Sequence, residues 1–133
     1  MIELSIIVSV LESYEVVRRQ LLHLERIMTP SCELLMLDDG SEPSLEATCN
    51  SVAKSFAFRL YPTQDRRPWT PPKARNLGAT LARADKLLFF DIDHILTSDI
   101  IRRCSAYQGD KLHWIRIPGI LDAEGNIVTD EAV

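Results

Sequence analysis

Three short apolar runs, each ending in polar or acidic residues, restrict the possible fold more than any other feature of this chain. The runs are Leu4–Val10, Glu33–Leu37 and Leu87–Phe90, and they lead into Leu11-Glu12, Asp38-Asp39 and Asp91-Ile92-Asp93. Continuous apolar runs of this length are typical of strands buried on both faces. Because helical periodicity fills the intervals, the pattern predicts an α/β fold with a mostly parallel sheet and helices on both faces.

The remaining elements follow from apolar spacing and from turn residues. In chain order they are a helix Tyr14–Met28 capped by Ser13, a helix with Leu45, Cys49 and Val52 inside, a strand Phe56–Tyr61, an irregular loop Pro62–Pro72, a helix from Pro71 to about Arg83, a short helix capped by Ser98, a strand Leu112–Ile117 and a hairpin within Gly119–Val128. In open parallel sheets ligands bind outside the carboxyl ends of the strands. The acidic residues gather at those ends, and the opposite ends show no comparable cluster. The sequence therefore predicts a site at the carboxyl ends of the strands.

Length, charge and cysteine content exclude several classes of protein. The 133 residues suffice for one domain with a core, and we expect a single domain over residues 1–133. The net charge of −4 argues against nucleic-acid binding. The three cysteines are widely spaced, which indicates reduced thiols and neither a disulfide framework nor a zinc site. We expect a cytoplasmic protein, because the sequence has no membrane-spanning run and no signal-peptide pattern.

Asp91 and Asp93 predict a metal site. In an extended strand their side chains would point the same way, since side chains alternate with period two. Two adjacent carboxylates repel each other unless a cation or hydrogen bonds compensate them. Their hard oxygen ligands suit Mg²⁺ or Mn²⁺. The alternative is a solvent-exposed strand end with two acidic turn residues, and His94 is either a further ligand or a local hydrogen-bonding group.

Basic residues near the start of the third helix predict an anion beside that metal. Lys73 and Arg75 lie in the first turns, and Arg66 and Arg67 precede them in the loop. Positive side chains and a helix amino end suit a phosphate or diphosphate. Asp39 either accepts hydrogen bonds from a base or ribose or caps the second helix. We assign nucleotide binding to Leu11, Glu12, Asp38, Asp39, Lys73, Arg75 and Asp91, and metal binding to Asp91 and Asp93.

Three segments together resemble the family 2 glycosyltransferases of the GT-A fold. They are SIIVSV in the first strand, LMLDDGS closing the second, and KARNLGATLARADKLLFFDID leading into the metal motif, and the resemblance covers residues 3 to about 101. It implies a Rossmann-like GT-A domain that binds a nucleotide-diphosphate-sugar. By resemblance, Asp39 would contact the base, Arg75 would lie beside the diphosphate, and Asp91 and Asp93 would form a D-x-D pair whose second acid ligates Mn²⁺ or Mg²⁺.

The implied reaction is transfer of a sugar, by a hexosyltransferase-like enzyme, to an unknown glycan, lipid or protein acceptor. The chain departs from the family in two places. Ser9, Leu11 and Glu12 stand where the family often has a proline and an aromatic–Asn pair. No residue after the metal motif matches the family's general base, so the acceptor half is short or missing. The acidic residues near the carboxyl end are Asp122, Glu124, Asp130 and Glu131.

Two other functions remain open at the level of sequence. One is a non-catalytic nucleotide-sugar-binding remnant that acts through a partner. The other comes from FFDIDHILT, which also resembles the nucleophile motif of haloacid-dehalogenase-type phosphatases, with Asp91 phosphorylated and Asp93 as the acid. That family needs a later lysine and a later acidic pair, and only Lys111 follows Asp93. An uncovered sheet edge after the last strand would also favour a homodimer.

Overall fold

A computed structural model describes residues 1–64, 71–113, 119–121, 124 and 127–129 of the chain. Its elements are β1 (Leu4–Val10), α1 (Tyr14–Ile27), β2 (Cys32–Asp38), α2 (Glu46–Asn50), β3 (Ala57–Pro62), α3 (Pro71–Leu81), β4 (Lys86–Phe89), α4 (Ser98–Ala106), β5 (Gly119–Leu121) and β6 (Ile127–Thr129). Strands β1 to β4 form a parallel sheet in the order β3-β2-β1-β4. The chain therefore moves outward from β1 to β3 and then crosses to the other side of β1, as in doubly wound α/β folds.

Alternate residues of the central strands face two separate apolar layers. On one face Ile6 and Val8 of β1 pack with Leu34 and Met36 of β2, together with apolar residues of α1, α2 and α4. On the other face Ile7, Leu35 and Leu37 pack against Ala74 of α3, with Leu77 and Leu81 alongside. The predicted parallel sheet with helices on both faces is confirmed.

Strand β4 is less buried than its apolar sequence predicts. Its pairing aligns Leu87 with Ser5 and Phe89 with Ile7, so both side chains lie on the α3 face of the sheet. Helix α3 packs mainly on β1 and β2, and Leu87 and Phe89 remain 37% and 42% exposed. The expectation of burial on both faces was therefore wrong for β4, because an apolar run does not reveal which strand lies at the edge of a sheet.

Two helix starts differ from the prediction. Ser13 makes no side-chain hydrogen bond to α1, and its backbone is left-handed (φ 53°), as is that of Glu12 (φ 57°). This tight turn directs the Ser13 hydroxyl back toward the carbonyl of Leu11. In α4 the cap is Thr97 and not Ser98, because the extended backbone at Thr97 lets its hydroxyl accept a hydrogen bond from the amide of Ile100.

The amino ends of the strands do carry a polar cluster, contrary to the expectation from sequence. Glu33 is 1% exposed and accepts hydrogen bonds from the Ser5 hydroxyl (2.7 Å), the Arg83 amide (2.8 Å) and Arg59 Nη2 (3.0 Å). Arg59 Nη2 also donates to the carbonyl of Leu81 at the end of α3. The sequence shows no sign of this cluster, because its members are far apart in the chain: Ser5, Glu33 and Arg59 lie singly in three strands, and Arg83 follows α3.

The carboxyl-terminal part agrees with the prediction only in places. Strands β5 and β6 pair antiparallel, which confirms the predicted hairpin. The predicted strand Leu112–Ile117 is not present at Leu112 and His113, where Leu112 is 84% exposed, and its other residues lie outside the described part. Among the described helices, none combines the length and apolar character that crossing a bilayer requires.

Candidate functional site

The acidic motif after β4 forms a tight turn and not an extended strand end. The amide of His94 donates to the carbonyl of Asp91 at 2.9 Å, which closes a four-residue turn. One ligand atom each from Asp91, Asp93 and His94 lies within 4.8 Å of the others, and all three residues are exposed. The predicted proximity of the two carboxylates is therefore present, although the reason is the turn and not the period-two alternation of a strand.

Arg75 neutralises one of the two carboxylates. Its Nη2 lies 2.8 Å from Asp91 Oδ1, and the two side chains are 45% and 55% exposed. Ala74, the neighbouring residue in α3, is fully buried against β1 and β2 and so holds the start of the helix on the sheet. Asp93 is 81% exposed and contacts His94 Nε2 at 4.0 Å. Asp93 is thus the carboxylate with the most access to a ligand from solvent.

The two acids after β2 have different roles. Asp38 is 3% exposed, and its two carboxylate oxygens accept the amides of Ser41 and Leu45, each at 2.9 Å. Asp38 therefore holds the loop before α2, the structural role that we had considered for Asp39. Asp39 is 8% exposed and accepts a hydrogen bond from the Thr63 hydroxyl at 3.1 Å. Thr63, just after β3, thus orients Asp39 and was not predicted from sequence.

The turn after β1 is connected to the loop after β2. The amide of Glu12 donates to the Ser41 hydroxyl at 2.6 Å, and the Tyr14 hydroxyl donates to the carbonyl of Pro43 at 2.6 Å. Leu11 and Glu12 are exposed, so the predicted donor-binding positions at this strand end are accessible. Ser41 was also missed, although it belongs to the DDGS segment that suggested the site.

Helix α1 contacts the backbone of the acidic turn after β4, and of the residues just beyond it, through two polar side chains. Gln20 is 5% exposed, and its side-chain amide donates to the carbonyls of Ile92 and His94. His23 contacts the carbonyl of Leu96. The sequence contained a signal for Gln20, because this polar residue lies on the same helical stripe as Val17, Leu21 and Leu24.

The charges differ along the row of strand carboxyl ends that forms the candidate site. At the β1–β2 end, burial together with the negative charges of Glu12, Asp38 and Glu42 raises the pKa of Tyr14. At the β4 end, Arg75 pairs with Asp91 of the turn, and the exposed Lys73 lies two residues before Arg75 in α3. Strands β2 and β4 flank β1, so Asp39 and Asp91 are separated by two strand spacings, about 10 Å at the level of the backbone. The site therefore has an acidic end and a mixed, arginine-containing end.

Some residues considered in the sequence lie outside the part of the chain that the structure describes. These are Arg66 and Arg67 in the loop before α3, and Asp122, Asp130 and Glu131 near the carboxyl end. Glu124 is described and is exposed. The family-like general base therefore stays unassigned.

The donor set at the turn fits a hard divalent cation. Two carboxylates and an imidazole lie close enough to share one ion, and oxygen-rich sets of this kind suit Mg²⁺ or Mn²⁺. Asp93 and His94 are exposed enough to reach such an ion without loss of a buried contact. Asp91 would first have to share its charge with Arg75.

The parallel sheet with its doubly wound order, and with an acidic turn at the switch point, is a Rossmann-like α/β fold of the kind found in GT-A domains. The family model described as "Glycosyltransferase like family 2" matches residues 5–114. The chain therefore belongs to this family, and the phosphatase alternative is not favoured. Over 72 residues, 53% of this chain, the sequence is 32% identical to an "Uncharacterized glycosyltransferase" from Haemophilus influenzae. That alignment covers 28% of the relative's length.

Proposed function

We propose that residues 1–133 bind a nucleotide-diphosphate-sugar together with Mn²⁺ or Mg²⁺ and take part in transfer of the sugar to an acceptor. The observation that carries this proposal is the pairing of the D-x-D turn with Arg75 at the carboxyl end of β4, in a chain of this family. The acceptor is a hydroxyl of a glycan, lipid or protein, and the enzyme is hexosyltransferase-like by family resemblance.

Residues at the carboxyl ends of different strands suit different parts of such a donor. The Asp39 carboxylate, oriented by Thr63, accepts hydrogen bonds from the N–H groups of a base or from ribose hydroxyls. Arg75 and Lys73 attract the diphosphate. The separation of about 10 Å between Asp39 and Asp91 is of the order of an extended nucleoside diphosphate. These contacts would orient the donor across the end of β1.

The carboxylates of the turn make donor binding dependent on a metal. Without a cation, Asp91 and Asp93 would repel a diphosphate, since like charges at close range are unfavourable. With Asp93 and His94 as ligands, and Asp91 beside Arg75, a divalent ion would neutralise the charge that develops on the leaving nucleoside diphosphate. The residues of the chain would hold the diphosphate in one orientation while the bond between the sugar and the nucleoside diphosphate breaks.

A thermal-shift panel of nucleotide-sugars, with and without Mn²⁺, tests this proposal. We expect one donor to raise the melting temperature in the presence of Mn²⁺, because a ligand that binds the folded state stabilises it by mass action. Asp93→Ala should abolish the metal-dependent part of the shift. The matched control is Asp85→Ala, since Asp85 is also exposed but precedes β4 at the opposite end of the strand. Absence of any metal-dependent shift in the wild-type chain would contradict the proposal.

Turnover separates transfer from binding alone. A donor that binds with Mn²⁺ but yields neither transfer nor hydrolysis, with a panel of acceptors, would favour the non-catalytic binding remnant.

The homodimer and the cytoplasmic location stay predictions, and light scattering of the purified chain checks the first. These outcomes do not depend on which sugar is bound.

A further inference from the structure

Helix α1 contacts the segment after β4 through two polar side chains. Gln20 Nε2 donates to the carbonyl oxygens of Ile92 at 2.8 Å and His94 at 2.5 Å, and His23 Nε2 lies 2.6 Å from the carbonyl oxygen of Leu96. Because a carbonyl can only accept, His23 carries its hydrogen on Nε2 in this contact. The partners are 72 to 74 positions apart in sequence, so these bonds are purely tertiary.

Burial of the polar side chain of Gln20 is unfavourable in free energy unless its hydrogen bonds compensate for the loss of water. The side chain lies on the inner stripe of α1, where its neighbours Val17, Leu21 and Leu24 are apolar. Its carbonyl oxygen Oε1 is buried and has no hydrogen-bond partner among the residues that the structure describes. A buried polar atom without a partner is unfavourable, and an apolar side chain would avoid that cost. What the amide contributes is its pair of bonds to the turn.

These bonds lie on both sides of the proposed metal ligand. Ile92 precedes Asp93 and His94 follows it, so Gln20 fixes the backbone on either side of the Asp93 carboxylate. The turn's own backbone bond runs from His94 to Asp91. The Asp93 side chain is 81% exposed and gains little support from packing. The orientation of its carboxylate therefore depends on how firmly the neighbouring backbone is held.

We propose that Gln20 is a positioning residue for the metal-binding turn: helix α1, through Gln20 and secondarily His23, holds the backbone that presents Asp93 and His94 to the divalent ion. This inference rests on the proposed function, because it concerns the same site. It adds a residue that touches neither donor nor metal. Replacing a group that orients a metal ligand typically lowers metal affinity by about 10–100-fold.

The test measures Mn²⁺ affinity directly, by electron paramagnetic resonance of free Mn²⁺, alone and with uridine or guanosine diphosphate. Gln20→Met keeps the approximate volume and removes the donor. We expect it to weaken Mn²⁺ binding about tenfold, the lower end of the usual effect of such groups. Binding of the parent nucleoside should not change, because Gln20 holds the turn after β4, whereas the proposed contact with the base is Asp39 after β2.

The matched control is Val52→Ala, a buried position in the segment that connects β2 to β3, the two strands farthest from β4 in the sheet order. It should lower the melting temperature as a core substitution does, yet leave the Mn²⁺ dissociation constant unchanged. An unchanged constant in Gln20→Met, or an equal loss in both variants, would overturn the positioning role. If Gln20→Met does not fold, His23→Leu carries the test, because the His23 ring is only half-buried; a smaller loss of Mn²⁺ affinity is expected, and none would overturn the proposal.

Asp93→Ala separates the two proposals. If the wild-type chain and Asp93→Ala bind Mn²⁺ and nucleoside diphosphate equally weakly, the proposed function fails and the positioning role fails with it. If Asp93→Ala abolishes Mn²⁺ binding while Gln20→Met and His23→Leu both retain it, only the positioning role fails.

Discussion

At the scale of single residues, the candidate site contains acids of three kinds. Asp38 is buried and satisfied by two backbone amides, so it holds a loop. Asp91 is exposed and paired with Arg75, whereas Asp93 is the most exposed of the three. Their chemistry is the same in sequence, but only Asp91 and Asp93 are accessible to a metal ion. Arg75 is the cation that pairs with the turn, through the carboxylate of Asp91.

Arg75→Met is expected to separate stability from binding. The Arg75–Asp91 pair is about half exposed, so its loss should change the free energy of unfolding by less than about 1 kcal/mol. Affinity for a nucleoside diphosphate should fall about tenfold, since a charged hydrogen bond is lost and Asp91 is left uncompensated. Calorimetric titration with the nucleoside diphosphate and with the parent nucleoside measures this difference, and the nucleoside should bind equally to both chains.

The control for this substitution is Arg102→Met. Arg102 also pairs with a half-exposed aspartate, Asp99, but it lies in a groove with Glu3, which precedes β1 at the other end of the strands. Its replacement should leave nucleotide binding unchanged. Equal losses of affinity in both variants would show a nonspecific effect of net charge and contradict a local role for Arg75.

At the scale of elements, helix α3 links the core to the site. Its amino end carries Lys73 and Arg75, while Ala74 and Gly78 are buried against the sheet. A Cβ at Gly78 would lie 2.5 Å from Ile7 Cγ2 and 3.0 Å from Leu37 Cδ2. The close approach of α3 to β1 thus depends on a residue without a side chain at position 78. This packing places Arg75 beside β4.

Gly78→Ala is therefore expected to destabilise the chain, although alanine is the better helix former. Alanine should gain about 1 kcal/mol from helix propensity. The contact of 2.5 Å requires β1 or α3 to move, and overpacking of this kind costs about 1–3 kcal/mol. Urea denaturation should give a net loss for Gly78→Ala and no loss for Asn76→Ala, an exposed position in the same helix. A Gly78→Ala variant more stable than the wild-type chain would contradict this prediction, because it would show that α3 can move away from β1 without loss of stability.

At the scale of the whole molecule, the sheet has two chemically different ends. The carboxyl ends of the strands present exposed charged groups, and the amino ends enclose a polar cluster around Glu33. Burial alone would raise the pKa of Glu33, but hydrogen bonds from the Arg83 amide and Ser5, together with Arg59, lower it below its usual range. This cluster ties β1, β2 and β3 to the segment that leads into β4.

The stability of the chain should depend on pH through Glu33. Because its pKa is lower in the folded state, the ionised group stabilises the fold fully above the ordinary glutamate pKa of about 4.3, and that contribution disappears as the pH falls through the folded-state value. At pH 7, Glu33→Gln should lose about 3 kcal/mol, since it leaves Arg59 without its buried partner. Denaturant titrations at pH 7 and in steps below pH 4.5 measure both quantities.

The difference between the wild-type chain and Glu33→Gln should decrease as the pH falls. The control is Glu3→Gln, at an exposed position just before β1, and its stability should follow the wild-type curve throughout. A constant difference between the wild-type chain and Glu33→Gln over this pH range would contradict the role given to the ionised carboxylate.

The amino-acid sequence by itself determined the order and type of the elements from β1 to α4 and the strand ends at which the candidate site lies. Alternating apolar strands and amphipathic helices restrict a chain to few parallel arrangements, because each apolar face must be covered. The positions of Asp39, Arg75, Asp91 and Asp93 followed from those arrangements and from the family motifs. Their roles in donor and metal binding stay predictions.

Tertiary structure alone decided which groups are buried and which act together. The exposure of Phe89 depends on where α3 packs, and the contacts of Gln20 and Glu33 join positions far apart in the chain. Local sequence patterns report the face on which a residue lies, but not which element will cover that face or which distant backbone atom will accept its hydrogen bond. For this reason the sequence could identify the acidic motif, whereas only the fold revealed its turn and the helix that contacts it.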